Sequence, residues 1–381
     1  MRFRALFTAL IAAGAVATCA GPEDVSANGT PVIADATARA QIDTERNEVQ
    51  RNETEWDGLW RASDHAGALA AASCPPGTQR QEPLPIDLSV TPVSLGEAAQ
   101  IARRIPENVT VSGAWELTSS NSNVGGLSGL ALLPASEGGG LLSVSDAGAF
   151  VWIGLDEGAP SDAKISYMQG SNGAMLTGKS EGDAEGLVWS DGLALVSFER
   201  SFRIEAFALS TCGSVARAAR VANLPGQHNG RNIDENQGPE AIFLEADGAL
   251  GFGYEGMLGT SPLGRILADG TAEWTGKAAP APTLHGLVGR EVVPLPDGRA
   301  RTIEMFRAWD PLQGNRIRLS WGTGEDETLT LSRPLLVDNF EGLAAEVLPD
   351  QGLRVWIVSD NNFSASQKTL LYALDIQITQ D

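Results

Sequence analysis

Short apolar runs separated by polar turns fill most of the chain beyond residue 109. Clear examples are GLVWSDGLALVSFE (186–199), AIFLEADGALGFGYE (241–255), VVPLPDGRARTIE (292–304) and GLAAEVLPDQGLRVWIVSD (342–360). Each holds an apolar or alternating run, a turn and a second apolar run, which predicts a β-hairpin. The turns carry Asp-Gly at 191–192, 247–248 and 297–298, or Gln-Gly at 351–352. Asp-Gly is among the strongest short-range hairpin signals. Runs apolar on both faces suit strands packed between neighbouring sheets. VTVSGAWELT (109–118) is a further strand, expected to close a ring on TLLYALDIQI (369–378), and PLPIDLSVTPVSL (83–95) reads as irregular or edge strand.

Acids recur in these hairpins at near-constant spacing. The series runs Glu185-Gly-Leu, Glu240-Ala-Ile, Glu291-Val-Val and Glu341-Gly-Leu, after an uncharged first copy, Ser128-Gly-Leu; its steps are 57, 55, 51 and 50 residues. A second acid trails each start: Asp146, Glu199, Glu255, Glu304 and Asp360. A repeat of about 40 to 50 residues is what a four-stranded propeller blade consumes. The expectation is an all-β propeller of five to six blades preceded by a short polar extension; a β-sandwich with chance acids is the alternative. Six blades are preferred, because residues 86–381 would hold six of about 49, and the strand-rich stretch 316–336 would suit an acid-free blade. Equivalent residues of each blade sit at equivalent heights around one axis, so the acids should converge at one mouth of the channel.

Three strings, DAEGLVW…LVSFER (183–200), NQGPEAIFLEADG (236–248) and DNFEGLAAEVLPDQGLRVWIVSDNNFSASQKTLLYALDI (338–376), resemble the secreted bacterial phytase-like family, also described as "esterase-like activity of phytase". The likeness covers roughly residues 109 to 376. It implies a propeller-like repeat domain whose recurrent Glu and Asp serve a phosphoester or ester hydrolase activity. The Glu199-Arg200 pair matches that family's pattern, and the related alkaline phytases are six-bladed.

Clustered carboxylates do not all stay ionised unless a cation sits among them. Hard oxygen donors select calcium. The candidate ligands are Asp146, Glu185, Glu199, Glu240, Glu255, Glu341 and Asp360, with Asn361 and Asn362 as neutral donors; Glu291 and Glu304 are weaker, since their copy departs most from the others. Glu185 or Glu240 is the candidate general base, Arg200 a phosphate clamp or a structural partner of Glu199, and His228 a candidate general acid. The expected function is a calcium-dependent hydrolase of small phosphate esters, the alternatives being a non-catalytic binding propeller with structural calcium and a carboxylesterase. GFGYEG (251–256) has no helix after it and GGLSGL (125–130) is no nucleophile elbow. With only His65, His228 and His285, neither a serine triad nor a zinc site has support.

The net charge of −21 argues against nucleic acid and against anionic lipid as partners. Arg2 and Arg4 before an apolar stretch (5–17) read as a secretory signal peptide over 1–20, with cleavage as late as 27 as an alternative. No transmembrane segment is expected; Cys19 in VATC offers a lipid anchor, and the destination is the periplasm or the outside. Cys74 and Cys212 then remain for one disulfide, the alternative being two separate thiols. Residues 21–85 form a polar leader, part helical or disordered, with Trp56, Leu59 and Trp60 as an anchor, and 86–381 the propeller domain of a monomer.

Overall fold

The computed structural model describes residues 58–256 and 260–378. The expected signal peptide, Cys19 and Trp56 lie outside the described residues. Three strands precede the first blade: β1 (Leu84–Ile86), β2 (Ser89–Pro92) and β3 (Val109–Thr118). The first blade continues with β4 (Leu127–Leu132), β5 (Leu141–Ser145), β6 (Ala149–Asp156) and β7 (Ala159–Tyr167), and β1 adds its outer edge. The second blade is β8 (Ala184–Ser190), β9 (Leu193–Phe198), β10 (Arg203–Phe207) and β11 (Ala219–Asn223). A small ribbon, β12 (Gln227–His228) with β13 (Arg231–Asn232), leads to the third blade: β14 (Ala241–Leu244), β15 (Leu250–Gly253), β16 (Ser261–Ile266) and β17 (Ala272–Ala279). The fourth is β18 (Gly286–Pro294), β19 (Ala300–Asp310), β20 (Gly314–Ser320) and β21 (Thr328–Leu331). The fifth runs β22 (Asn339–Val347), β23 (Leu353–Asp360) and β24 (Thr369–Ile376), then takes β3 and β2 from the other end of the chain.

The innermost strands β4, β8, β14, β18 and β22 neighbour one another in cyclic order, so five blades close one ring. The preference for six blades is corrected here. The stretch 316–336 is no separate blade: it supplies β20 and β21, the outer half of the fourth. Closure occurs where expected, with β3 antiparallel to β24 and Trp115 opposite Leu371. The Asp191-Gly192 turn joins Ser190 to Leu193 with φ of 51° and 77° at its two central residues, the two positive values that a type I′ hairpin needs.

Each inter-blade space is filled from both sides, as strands apolar on both faces require. Ile303, Met305, Ile357 and Phe340 are buried in one such layer between the fourth and fifth blades. Trp60 is buried between the second and third blades; its backbone donates to Ile266 and accepts from Leu250. The helix α1 (Ala62–Ser73) follows it and packs on β10 and β11. The described residues also hold two short α-helices, α2 (Ala98–Arg104) and α3 (Leu209–Cys212).

Cys74, capping α1, and Cys212, ending α3, form a disulfide across 138 residues with Cα atoms 5.9 Å apart. Closing a loop of that length removes much unfolded-state entropy. Replacing both cysteines by alanine is expected to cost about 2–5 kcal/mol, read as a lowered midpoint in denaturant unfolding of the double variant.

Candidate functional site

Register decides which side chains reach the mouth. In the second blade Glu199 pairs with Asp183 through its backbone N–H, and Glu185 and Gly186 sit in a bulge two residues on. The fifth blade repeats this: Asp360 faces Asn339, and the bulge holds Glu341. In the first blade Asp146 faces Gly126 and the bulge holds Ser128; in the third Glu255 faces Gly238, with Glu240 beside the first pair. Bulges re-aim side chains at the rim of a sheet. Here they turn Glu185 and Glu341 into the channel throat.

The fourth blade breaks the pattern. Its bulge lies between Leu287 and Gly289, which places Val288 where the others carry Glu or Ser, and Arg307 opposite Gly286 where the others carry the second acid. Glu291 lies three residues further along β18. It lines a separate, largely apolar cavity with Leu132, Trp189 and Leu244, and burial alone pushes it up to about 8. Glu304 is held by Arg290 as a buried ion pair. Neither belongs to the mouth, so the weakness of that copy has a structural cause: a cation has replaced its acid.

The mouth is a cavity of about 1360 Å³. Asp146, Glu185, Glu199, Glu240, Glu255, Glu341 and Asp360 line it, as does Arg200; of the neutral donors Asn362 does and Asn361 does not. The Asn361 amide oxygen accepts instead from the N–H groups of Gly126 and Phe363, tying the fifth blade to the first. His228 is not brought to the mouth. It lies on β12 edge-on to Trp274, ring centroids 4.9 Å apart, while His285 lines the cavity.

Three sub-clusters divide the ring. On the second blade Asp183, Glu185 and Glu199 are buried, with ligand atoms all within 4.8 Å of one another. Arg200 Nε donates to Asp183 Oδ2 at 2.8 Å, and its Nη2 donates to Asn236. Burial and then Asp183 push Glu199 up to about 7, while burial and then Glu240 and Glu341 hold Glu185 well above the ordinary range. At the closure seam burial and then the charge of Asp360 push Asp146 up to about 6. Its Oδ2 lies 3.7 Å from Lys179 Nζ, and its buried Oδ1 has no hydrogen-bond partner among the described residues. On the far side Arg307 is bonded to Glu341, to Glu255 at 2.8 Å and to Asn339 at 2.7 Å. Burial opposes the Arg307 charge, but Glu341, Glu255 and Glu240 outweigh it and hold the guanidinium firmly protonated.

The close approach of acid to backbone is built in by glycine. A Cβ on Gly126, whose φ is +60°, would lie 1.9 Å from Asp146 Oδ1, and one on Gly238 would lie 2.6 Å from Glu199 Cγ. The donor set consists of buried carboxylate oxygens plus one orphaned oxygen, which fits a hard cation such as calcium. Asp183, Glu185 and Glu199 could hold it.

A family model for phytase-like proteins, described as esterase-like activity of phytase, matches residues 122–363. The chain belongs to the phytase-like family. The matched segment runs from just before β4 to just beyond β23, and so contains every acid of the phytase-like mouth. No curated protein matches the chain. Among solved structures, the PQQ-bound aldose sugar dehydrogenase from Streptomyces coelicolor is similar at 12% identity, covering 77% of this chain and 100% of that one, with a TM-score of 0.40. A thermostable family-43 glycoside hydrolase is similar at 13% identity, covering 68% and 91%, TM-score 0.39. A protein of unknown function from Dyadobacter fermentans shows 13% identity over 79% and 100%, TM-score 0.34. Likeness at that level carries no argument about the chemistry of the phytase-like site.

Two residues of this site escape a search for repeated acids. Asp183 stands two positions before Glu185, as Asn339 stands before Glu341, and that paired position was the available signal. Arg307 has only its register opposite Gly286 to mark it.

Proposed function

We propose that the chain is an exported, calcium-dependent hydrolase of small phosphate esters, working as a monomer at the acidic mouth. One observation carries the reading: Asp183, Glu185 and Glu199 crowd buried ligand atoms within 4.8 Å of one another. Carboxylates so close and so dry favour a cation over mutual ionisation. These three would hold it, with the unpartnered Asp146 oxygen as a further donor. When bound, the cation supplies charge neutralisation and polarisation of the phosphoryl oxygens.

The chain's own residues supply the rest. Lys179, Arg200, Arg307 and Arg333 line the same cavity and give a phosphate positive neighbours. Glu240 sits in the throat with its pKa held well above the ordinary range by burial and then Glu255 and Glu341. Once ionised it is therefore a stronger base than a free carboxylate, and it takes a proton from the attacking water. The water oxygen bonds to phosphorus, the ester P–O bond breaks, and the departing alcohol oxygen takes its proton from solvent. Export is supported by the basic and apolar N-terminus and by the disulfide, which needs an oxidising compartment to persist.

A second reading, a non-catalytic binding propeller, is favoured by Arg307, which already neutralises Glu255 and Glu341 without any ligand. Carboxylester hydrolysis has less support: Ser128 lines the mouth, but its hydroxyl donates to the Gly126 carbonyl. The deciding experiment is phosphate release from phytate and from simple phosphate monoesters, with calcium and then with excess chelator. Calcium-dependent release is expected. Glu185→Gln is expected to weaken calcium binding on the order of 10- to 100-fold, measured by calorimetry; wild-type affinity in that variant would refute the assigned ligands.

A further inference from the structure

Among the described residues, six large apolar side chains are exposed: Leu84, Met175, Leu284, Trp309, Leu312 and Phe363. Two of them line the charged mouth, and two more stand within three residues of side chains that do. Leu284 (81% exposed) and Trp309 (65%) line it, Leu312 (90%) lies in the β19–β20 turn beside Trp309, and Phe363 follows the cavity residue Asn362. Apolar surface concentrated around a polar hole marks a binding edge more often than chance exposure.

The cation supply points the same way. Eight carboxylates and four cations line the cavity. Lys179 is paired with Asp146, Arg200 with Asp183, and Arg307 with Glu255 and Glu341. Arg333 is exposed and has no carboxylate partner among the described residues. Its guanidinium lies 3.0 Å from where a Cβ on Gly314 would stand, over the end of the hairpin that carries Trp309. Arg307 and Trp309 alternate on β19, so they share one face of the strand about 7 Å apart. One unpaired guanidinium suits one phosphate. A densely phosphorylated polyanion would meet a surplus of carboxylates instead.

We propose that Trp309, Leu284 and Leu312 form a specificity lip that selects monophosphate esters of aromatic or similarly flat apolar alcohols, with Arg333 receiving the phosphate as it enters. The inference rests on the phosphoester reading above and names the substrate class of that same mouth. Stacking on an exposed indole, together with apolar contact to the two leucines, places the alcohol outside the cavity and the phosphate inside it.

The test compares 1-naphthyl phosphate with glycerol phosphate and phytate in wild type, Trp309→Ala and Trp309→Phe, all with calcium. The wild type is expected to prefer the naphthyl ester. Trp309→Ala is expected to raise its KM about tenfold, well beyond any change in the glycerol phosphate KM, and Trp309→Phe to restore most of the loss. A second arm needs no turnover: calorimetric binding of phenylphosphonate against methylphosphonate to the same three proteins. Tighter, Trp309-dependent binding of phenylphosphonate supports the lip even if no ester is hydrolysed, an outcome that would sink the hydrolase reading alone. Equal binding of the two phosphonates, or preference for phytate, overturns the lip and leaves the hydrolase reading standing. Sedimentation at assay concentration adds a last check: a dimer that Leu312→Ser converts to monomer would make the apolar rim a self-association surface and overturn the proposal.

Discussion

Arg307→Ala is expected to destabilise the calcium-free chain by about 3–5 kcal/mol, the cost of leaving buried charge without its partner. The side chain is the fourth blade's only charged contribution to the ring of equivalent positions, and it is bonded to Glu255, Glu341 and Asn339 at once. Its removal leaves Glu341 in a buried site whose pKa is already pushed up to about 8 against the pull of Arg307. The orphaned carboxyl will answer by binding a proton, so the destabilisation should shrink as pH falls through and below about 8. Urea unfolding at pH 8 and pH 5 measures both the size and the direction. A loss of less than about 1 kcal/mol at pH 8 would mean that solvent or mutual protonation, not Arg307, holds those acids.

The second large effect couples pH to calcium. Asp146, Glu199 and Glu341 have folded pKa values raised to about 6, 7 and 8, mainly by burial. A raised pKa means that the folded chain binds protons more tightly than the unfolded one. The stability it contributes is fully present below the unfolded value, about 4 for a carboxylate, and is lost as pH rises through the folded value. Calcium-free protein should therefore be most stable near pH 4–5 and lose stability up to pH 8, on the order of 3 kcal/mol from Glu199 alone. Metal binding needs the deprotonated ligands, so its stabilisation runs the other way. The thermal midpoint gained on adding calcium should be small at pH 5 and large at pH 8. A gain independent of pH would place the ion away from Glu199.

Much of the architecture was legible because two independent periodicities agreed: Asp-Gly hairpin turns and an acid every 50 to 55 residues. The closure of 109–118 on 369–378 followed from their being the strong strands nearest the two ends. Blade number was less legible, since β20 and β21 carry no acid and look like a unit of their own. Where the bulge kept the repeat in register, as at Glu185 and Glu341, the acids picked out by spacing stand at one mouth. In the fourth blade Val288 occupies the equivalent position, and Glu291 stands three residues beyond it and away from the mouth. His228 shows the limit of loop proximity: its ribbon folds outward onto Trp274 rather than over the acids. Arg307 and Arg333 answer to no repeat at all, because a position that changes the sign of its charge looks like a gap to any search for likeness.

The ring is sealed by pairing a strand that starts at Val109 with one that ends at Ile376. Asp146 of the first blade and Asp360 of the fifth meet where those two blades adjoin, and the charge of Asp360 helps push Asp146 up. No partial chain can assemble the site, because the carboxyls of the last blade take their places only when the earliest propeller strands are already waiting beside them. The pairing spans most of the sequence, which makes it a slow, late event in folding. The mouth is therefore a property of the closed ring, and no single blade carries it.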